Sequence, residues 1–144
     1  MIHGISSPEQ DFGAWSISRV EHEVRAQGQM VDLKADFYVE KMAIAGDKLT
    51  METIGFPKCE SFHVGLSSCG ILVRMVWSGC SEISLRQIGK LILEEEDSHY
   101  GILGIRLMGR SDIGLLSFVI DGDWFEVSIQ CRAFSVESES LPYP

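Results

Sequence analysis

The chain has 144 residues, of which 45% are hydrophobic and 23% charged, the ordinary balance of one globular domain. Its 12 basic and 21 acidic residues give a formal net charge of −9, which argues against free nucleic acid as a partner because phosphate binding needs a basic surface. No apolar run approaches the roughly 18–20 residues that cross a bilayer, and the first residues resemble no secretory signal. We therefore expect no membrane partner and a cytoplasmic location.

The N-terminal part predicts a short helix followed by strands. Ser7 can cap a helix over 8–14 whose first position is Pro8. The run 15–25 predicts a strand with a bulge near Ser18, since the alternative, one helix from 8 to 26, scatters its apolar residues around the axis.

Three further strands are predicted between residues 31 and 77. Residues 31–40 alternate strictly between apolar and polar, the pattern of a strand with one buried face. A turn at 45–48 leads to a strand at 49–54, and the apolar run 71–77 predicts another.

Residues 84–96 predict one helix. Ser84 and Gln87 have the spacing of a capping box, and apolar residues recur behind them at helical intervals. Gly89 inside the helix and the acidic run 94–97 at its negative end both oppose this interpretation. The alternative is a strand that ends in an acidic loop.

The clearest pattern is a hairpin over 114–134, preceded by a strand at 102–108. The run 115–120 is nearly all apolar and predicts a central strand, while the odd-numbered residues from Phe125 to Ala133 predict a buried face. Asp121-Gly122 between the two arms is typical of a type I′ turn.

These elements predict a mainly antiparallel β protein of six to eight strands, either a sandwich or an open barrel, with an α+β arrangement as the alternative. Residues 1–136 form the single predicted domain. Residues 137–144, with two prolines, predict an extended or frayed tail.

Few residues in the sequence are candidates for catalysis or metal binding. Cys59 and His63 have a ligand-like spacing but lack a second pair, and the four cysteines show no Cys-x-x-Cys spacing, so we expect reduced thiols, no metal and no cofactor. Cys69, in a Gly- and Ser-rich segment near His63, is the one candidate nucleophile. The sequence around it is not a Gly-x-Ser-x-Gly elbow.

Clustered acids are the remaining functional signal. Carboxylates close together on a surface can steer a basic partner and speed its association. The predicted partner-binding residues are Glu94, Glu95, Glu96, Asp97, Asp121, Asp123 and Glu126.

The sequence therefore favours a small acidic, non-enzymatic binding protein that engages a basic protein, as immunity proteins, antitoxins and dedicated chaperones do. Two alternatives stay open. One is a ligand-binding barrel or sandwich with an aromatic-lined pocket, and the other is a small enzyme that uses Cys69 and His63.

Overall fold

The protein is almost entirely β-structure, arranged in three antiparallel sheets. The computed structural model describes residues 11–12, 17, 19–26, 29–34, 37–55, 70–88 and 101–141. The mainly antiparallel prediction is confirmed, with more strands than the six to eight expected. The described residues contain eleven: β1 (Val20–Glu21), β2 (Glu23–Ala26), β3 (Gln29–Asp32), β4 (Phe37–Ala45), β5 (Lys48–Gly55), β6 (Gly70–Ser78), β7 (Glu82–Gln87), β8 (Ile102–Arg110), β9 (Leu116–Gly122), β10 (Phe125–Cys131) and β11 (Ala133–Leu141).

Two larger sheets pack against each other in a sandwich-like arrangement. One has the strand order β11-β6-β5-β4 and the other β1-β8-β9-β10-β7, while β2 and β3 form a separate ribbon. Trp77 of β6 and Phe134 of β11 contact Phe118 of β9, with ring centroids 6.2 and 5.2 Å apart. All three rings are buried, and each such burial contributes about 1.5–3 kcal/mol. These rings join the two sheets.

The chain changes sheets at one corner, where β6 leads into β7 and β10 leads into β11. Ser81 N donates to Gln130 O at 2.9 Å and Arg132 N donates to Ser78 O at 3.1 Å, so the two connections run side by side. Gly79 has a φ of +63°, and a Cβ there would lie 3.0 Å from the Cβ of Arg132. Glycine is therefore favoured at this position for two reasons: the backbone is left-handed, and Arg132 lies too close for a larger residue. Paired bends of this kind carry strands from one sheet to the other.

The predicted hairpin is formed by β9 and β10, which lie inside the five-stranded sheet. Its loop lies two residues later than expected: Asp121 pairs with Glu126, which leaves 123–124 at the tip. Gly122 lacks the positive φ of a type I′ turn. It is needed for another reason, because the ring of Phe125 occupies the position that a Cβ would take. The hairpin is confirmed and the Asp-Gly turn is wrong.

The return arm of the hairpin has the predicted faces. Phe125, Val127, Ile129 and Cys131 are buried, and Ala133 is half-buried. The outgoing arm is central in its sheet, between β8 and β10, as its apolar run predicts.

The beginning of the predicted helix is instead a strand. Residues 84–87 belong to β7 and pair antiparallel with β10, where Leu85 lies opposite Val127. The helix prediction for 84–96 is wrong in this part, because pairing along a whole strand outweighs a local capping signal. Residues 89–96 lie outside the described residues.

The alternating run 31–40 is divided between two sheets. The Asp32 Oδ1 atom accepts a hydrogen bond from Lys34 N at 2.9 Å. An aspartate that binds the backbone two residues further on makes a turn, so the chain leaves β3 there and resumes a strand at Phe37. The single-strand prediction is wrong, although Val31 and Phe37 are buried as expected.

The N-terminal run is extended over 20–26, as predicted, but it is not one strand. It is divided at His22 into β1 of the five-stranded sheet and β2 of the ribbon. Ser18, where a bulge was predicted, lies outside the described residues. The remaining strand predictions are confirmed. The predicted strands 49–54, 71–77 and 102–108 correspond to β5, β6 and β8.

The chain termini differ from their predictions or lie outside the described part. Residues 137–141, assigned to an extended or frayed tail, are extended but continue β11 beside β6, because each of them has a cross-strand partner. Residues 142–144 are not described. Asp11 and Phe12 are helical, and the rest of the predicted 8–14 helix lies outside the described residues.

Candidate functional site

The side of the five-stranded sheet that points away from the core is largely polar, and we call it the outer face. Side chains alternate along a strand between two faces, and the register of β7 to β10 places the non-core positions side by side. The outer face contains Glu82, Ser84, Arg86, Arg106, Met108, Ser117, Val119, Asp121, Glu126, Ser128 and Gln130.

Two predicted partner-binding residues meet on this face, and arginines hold both of them. Asp121 lies directly opposite Glu126. Arg106 binds Asp121 through two hydrogen bonds, Nε to Oδ2 at 2.9 Å and Nη2 to Oδ1 at 3.2 Å. Arg86 binds Glu126 at 3.0 Å. The arginines offset the repulsion that two facing carboxylates would otherwise cause, so this pair is not a free anionic site.

Asp123 has a structural contact at the hairpin tip. Its Oδ2 atom accepts a hydrogen bond from Gly101 N at 2.7 Å, and its own N donates to Gly101 O at 3.1 Å. A carboxylate that accepts a backbone N–H bond fixes local geometry. Asp123 therefore ties the hairpin tip to the residue that precedes β8.

The other predicted site residues lie outside the described residues. They are the acidic run Glu94, Glu95, Glu96 and Asp97, the candidate pair Cys69 and His63, and Cys59.

A shallow depression of about 170 Å³ lies on the outer face. Met108 lies beside this depression and is 44% exposed. Hydroxyl, amide and carboxylate groups surround this thioether, so the depression can accept both an apolar group and hydrogen-bond donors. Its outward side chains are Glu82, Met108, Ser117, Val119, Ser128 and Gln130.

Sequence reasoning missed this depression for an identifiable reason. The alternation of the return arm placed Gln130 on the polar side, whereas the nearly all-apolar run 115–120 did not indicate a polar face for Ser117. Interpreting 84–96 as a helix removed β7 from the sheet, and with it Glu82. Met108 was placed in a strand, but a single strand pattern does not tell which of its faces a neighbouring sheet covers.

The outward side of the four-stranded sheet carries charges that compensate one another. Glu137, Arg74, Glu52 and Lys41 lie opposite one another across four strands. Arg74 binds Glu52 at 2.9 Å and lies 3.6 Å from Glu137. The hydrogen bond to Glu52 raises the pKa of Arg74 above its ordinary value. This row of alternating sign stabilises the sheet.

Burial raises the pKa values of three other groups, which are two cysteines and one aspartate. Burial raises the pKa of the Cys131 thiol to about 12 and also raises that of Cys80. Because the thiolate is the nucleophile, both cysteines are poor nucleophiles at neutral pH. Burial also raises the pKa of Asp11 to about 6.

Within the described part of the chain, no three or more His, Cys, Asp and Glu side chains converge as metal ligands. No helix in the same residues is long and apolar enough to span a membrane. Comparisons with protein-family models, curated proteins and solved structures found no match to the chain.

Proposed function

We propose that the protein is a non-enzymatic binding protein whose outer face, together with the acidic run 94–97, engages a basic protein partner. A protein of this kind would be of the immunity-protein, antitoxin or dedicated-chaperone type. The observation that carries this proposal is the depression beside Met108, which combines an exposed thioether with polar groups on a hydrogen-bonded sheet.

The composition of this surface supports a protein partner. Methionine is enriched at protein interfaces, and its flexible, polarisable side chain adapts to different partners. A sheet face fixed by cross-strand hydrogen bonds loses little conformational entropy on binding. The depression of about 170 Å³ is smaller than the roughly 300–1,000 Å³ of small-molecule pockets, which favours a protein partner over the ligand-binding alternative.

The charge of the chain supports a basic partner. The formal net charge is −9, and such a field attracts basic surfaces over a distance of about 8–10 Å at physiological salt. Asp121 and Glu126 already bind arginines. We therefore assign the direct contacts with the partner's basic groups to residues 94–97.

The proposal predicts that Met108→Lys weakens partner binding and that Met30→Lys does not. The two methionines are 44% and 45% exposed, and both substitutions add one positive charge, so only their location differs. Met30 lies in the β2-β3 ribbon. A partner captured from native lysate would be purified and titrated by calorimetry. We expect Met108→Lys to weaken binding about tenfold, because it removes an apolar contact and repels the basic partner.

Salt provides the second measurement on the same complex. We expect affinity to fall as salt rises, and to fall further when Glu94, Glu95, Glu96 and Asp97 are all replaced by lysine. Equal affinities for the two methionine variants would contradict the assignment of the outer face. A complex insensitive to both salt and the 94–97 reversal would contradict the basic partner.

A further inference from the structure

Strand β7 is an edge of the five-stranded sheet with an exposed apolar surface. It pairs with β10 on one side, and no strand of the described residues lies on its other side. Leu85 is 51% exposed and Ile88, just beyond the strand, is 48% exposed. An exposed, partly apolar edge is a ready template for pairing with another strand.

The backbone groups available at this edge follow from the pairing with β10. Ile88 N donates to Trp124 O at 2.8 Å, and the register continues with Arg86 opposite Glu126. In an antiparallel pair, the N–H and C=O of one residue point to the same side, and successive residues alternate. The backbone N–H and C=O of Ile83 and Leu85 therefore point away from β10.

The sequence of β7 is complementary to itself in one antiparallel register. If two copies pair about Ser84, Ile83 of each lies opposite Leu85 of the other, and Glu82 lies opposite Arg86. The apolar pairs use the backbone groups that point outward, and they extend the core side of the sheet. The charged pairs fall on the outer face, where unlike charges opposite one another stabilise a sheet.

We propose that two copies of this chain associate through β7, antiparallel and centred on Ser84, to form one continuous ten-stranded sheet. Arg86 then bridges Glu126 of its own chain and Glu82 of the second copy, which its five N–H donors allow. A register centred on Leu85 instead places Glu82 opposite Ile88 and Ser84 opposite Arg86. That register lacks the charge match. The interface is short, so the dimer exchanges with monomer and its population depends on concentration.

The test is sedimentation equilibrium of the full chain and of two charge variants, alone and mixed. Glu82→Arg places arginines opposite each other, and Arg86→Glu places glutamates opposite each other. Each variant alone should raise the dimer dissociation constant about tenfold or more, because the twofold axis changes two pairs at once. An equimolar mixture of the two variants restores opposite charges at both positions and should dimerise again.

The mixture separates the proposal from simple misfolding, since a misfolded variant would not recover on mixing. Leu85→Pro provides a further check. It removes an N–H that β10 does not use, and proline is tolerated on edge strands, so it should abolish the dimer while preserving the β-sheet circular dichroism spectrum. A monomer at all concentrations would overturn the proposal, as would a dimer unaffected by these variants or a mixture that stays monomeric.

Discussion

Replacing Gly122 with alanine is expected to lower the free energy of unfolding by about 1–3 kcal/mol, the usual cost of overpacking a core. The added methyl group would overlap Cε1 and Cζ of the Phe125 ring. Phe125 is fully buried, so the ring cannot move out into solvent to make room. Urea denaturation of the variant and the parent protein measures the difference.

Gly109→Ala is the matched control for this substitution. Gly109 also lies in a strand of the five-stranded sheet, but a Cβ there would meet nothing within 4 Å. Its unfolding free energy should stay within about 0.5 kcal/mol of the parent value. The variant Phe125→Leu makes room for the methyl group, so combining it with Gly122→Ala should cost less than the two single losses added together. Equal losses for Gly122→Ala and Gly109→Ala would contradict the close approach of glycine and ring.

Replacing Phe134 with alanine is expected to lower the free energy of unfolding by about 3–5 kcal/mol, the largest effect of any substitution proposed for this chain. Phe134 stacks on Phe12 at 5.5 Å and contacts Trp77 and Phe118 at 5.1 and 5.2 Å. Removing the ring leaves a cavity between the two sheets and removes several aromatic contacts at once. Urea denaturation, monitored by tryptophan fluorescence, measures the decrease in unfolding free energy.

Trp124→Ala is the control for Phe134→Ala, because it removes an aromatic ring that does not lie between the two sheets. Trp124 is only half-buried and contacts Phe125 at the hairpin tip, with centroids 5.2 Å apart. Its removal should cost less than half as much as the loss of Phe134, although more side-chain atoms are deleted. If Trp124→Ala were the more damaging change, the rings of Trp77, Phe118 and Phe134 would not be the main link between the sheets.

The fold class could be predicted because it depends on the period of the sequence. The return arm from Phe125 to Cys131 alternates, and its buried face is the predicted one. The secondary-structure predictions that were wrong concern segments whose conformation depends on one side chain or on one strand pairing. Asp32 ends a strand by binding the backbone, and the capping-box spacing at Ser84 is outweighed by pairing with β10.

The candidate site was harder to predict from the sequence than the fold class, because its contacts depend on the order and register of the strands. The sequence placed Asp121 and Glu126 near each other around a turn, but it did not predict that Arg106 and Arg86 bind them. Those arginines come from β8 and β7, and only the sheet order brings them to this face. A pair of acids close together in the sequence is therefore weak evidence for a free anionic surface.

Methyl NMR of methionine-labelled protein tests most directly whether the outer face binds the partner. Met108 and Met30 report on the outer face and on the β2-β3 ribbon, while Met51 and Met75 are fully buried and serve as internal references. On addition of the purified basic partner, we predict that the Met108 methyl resonance shifts or broadens and the other three stay in place. A shift of Met30 with an unchanged Met108 would contradict the outer face as the binding surface.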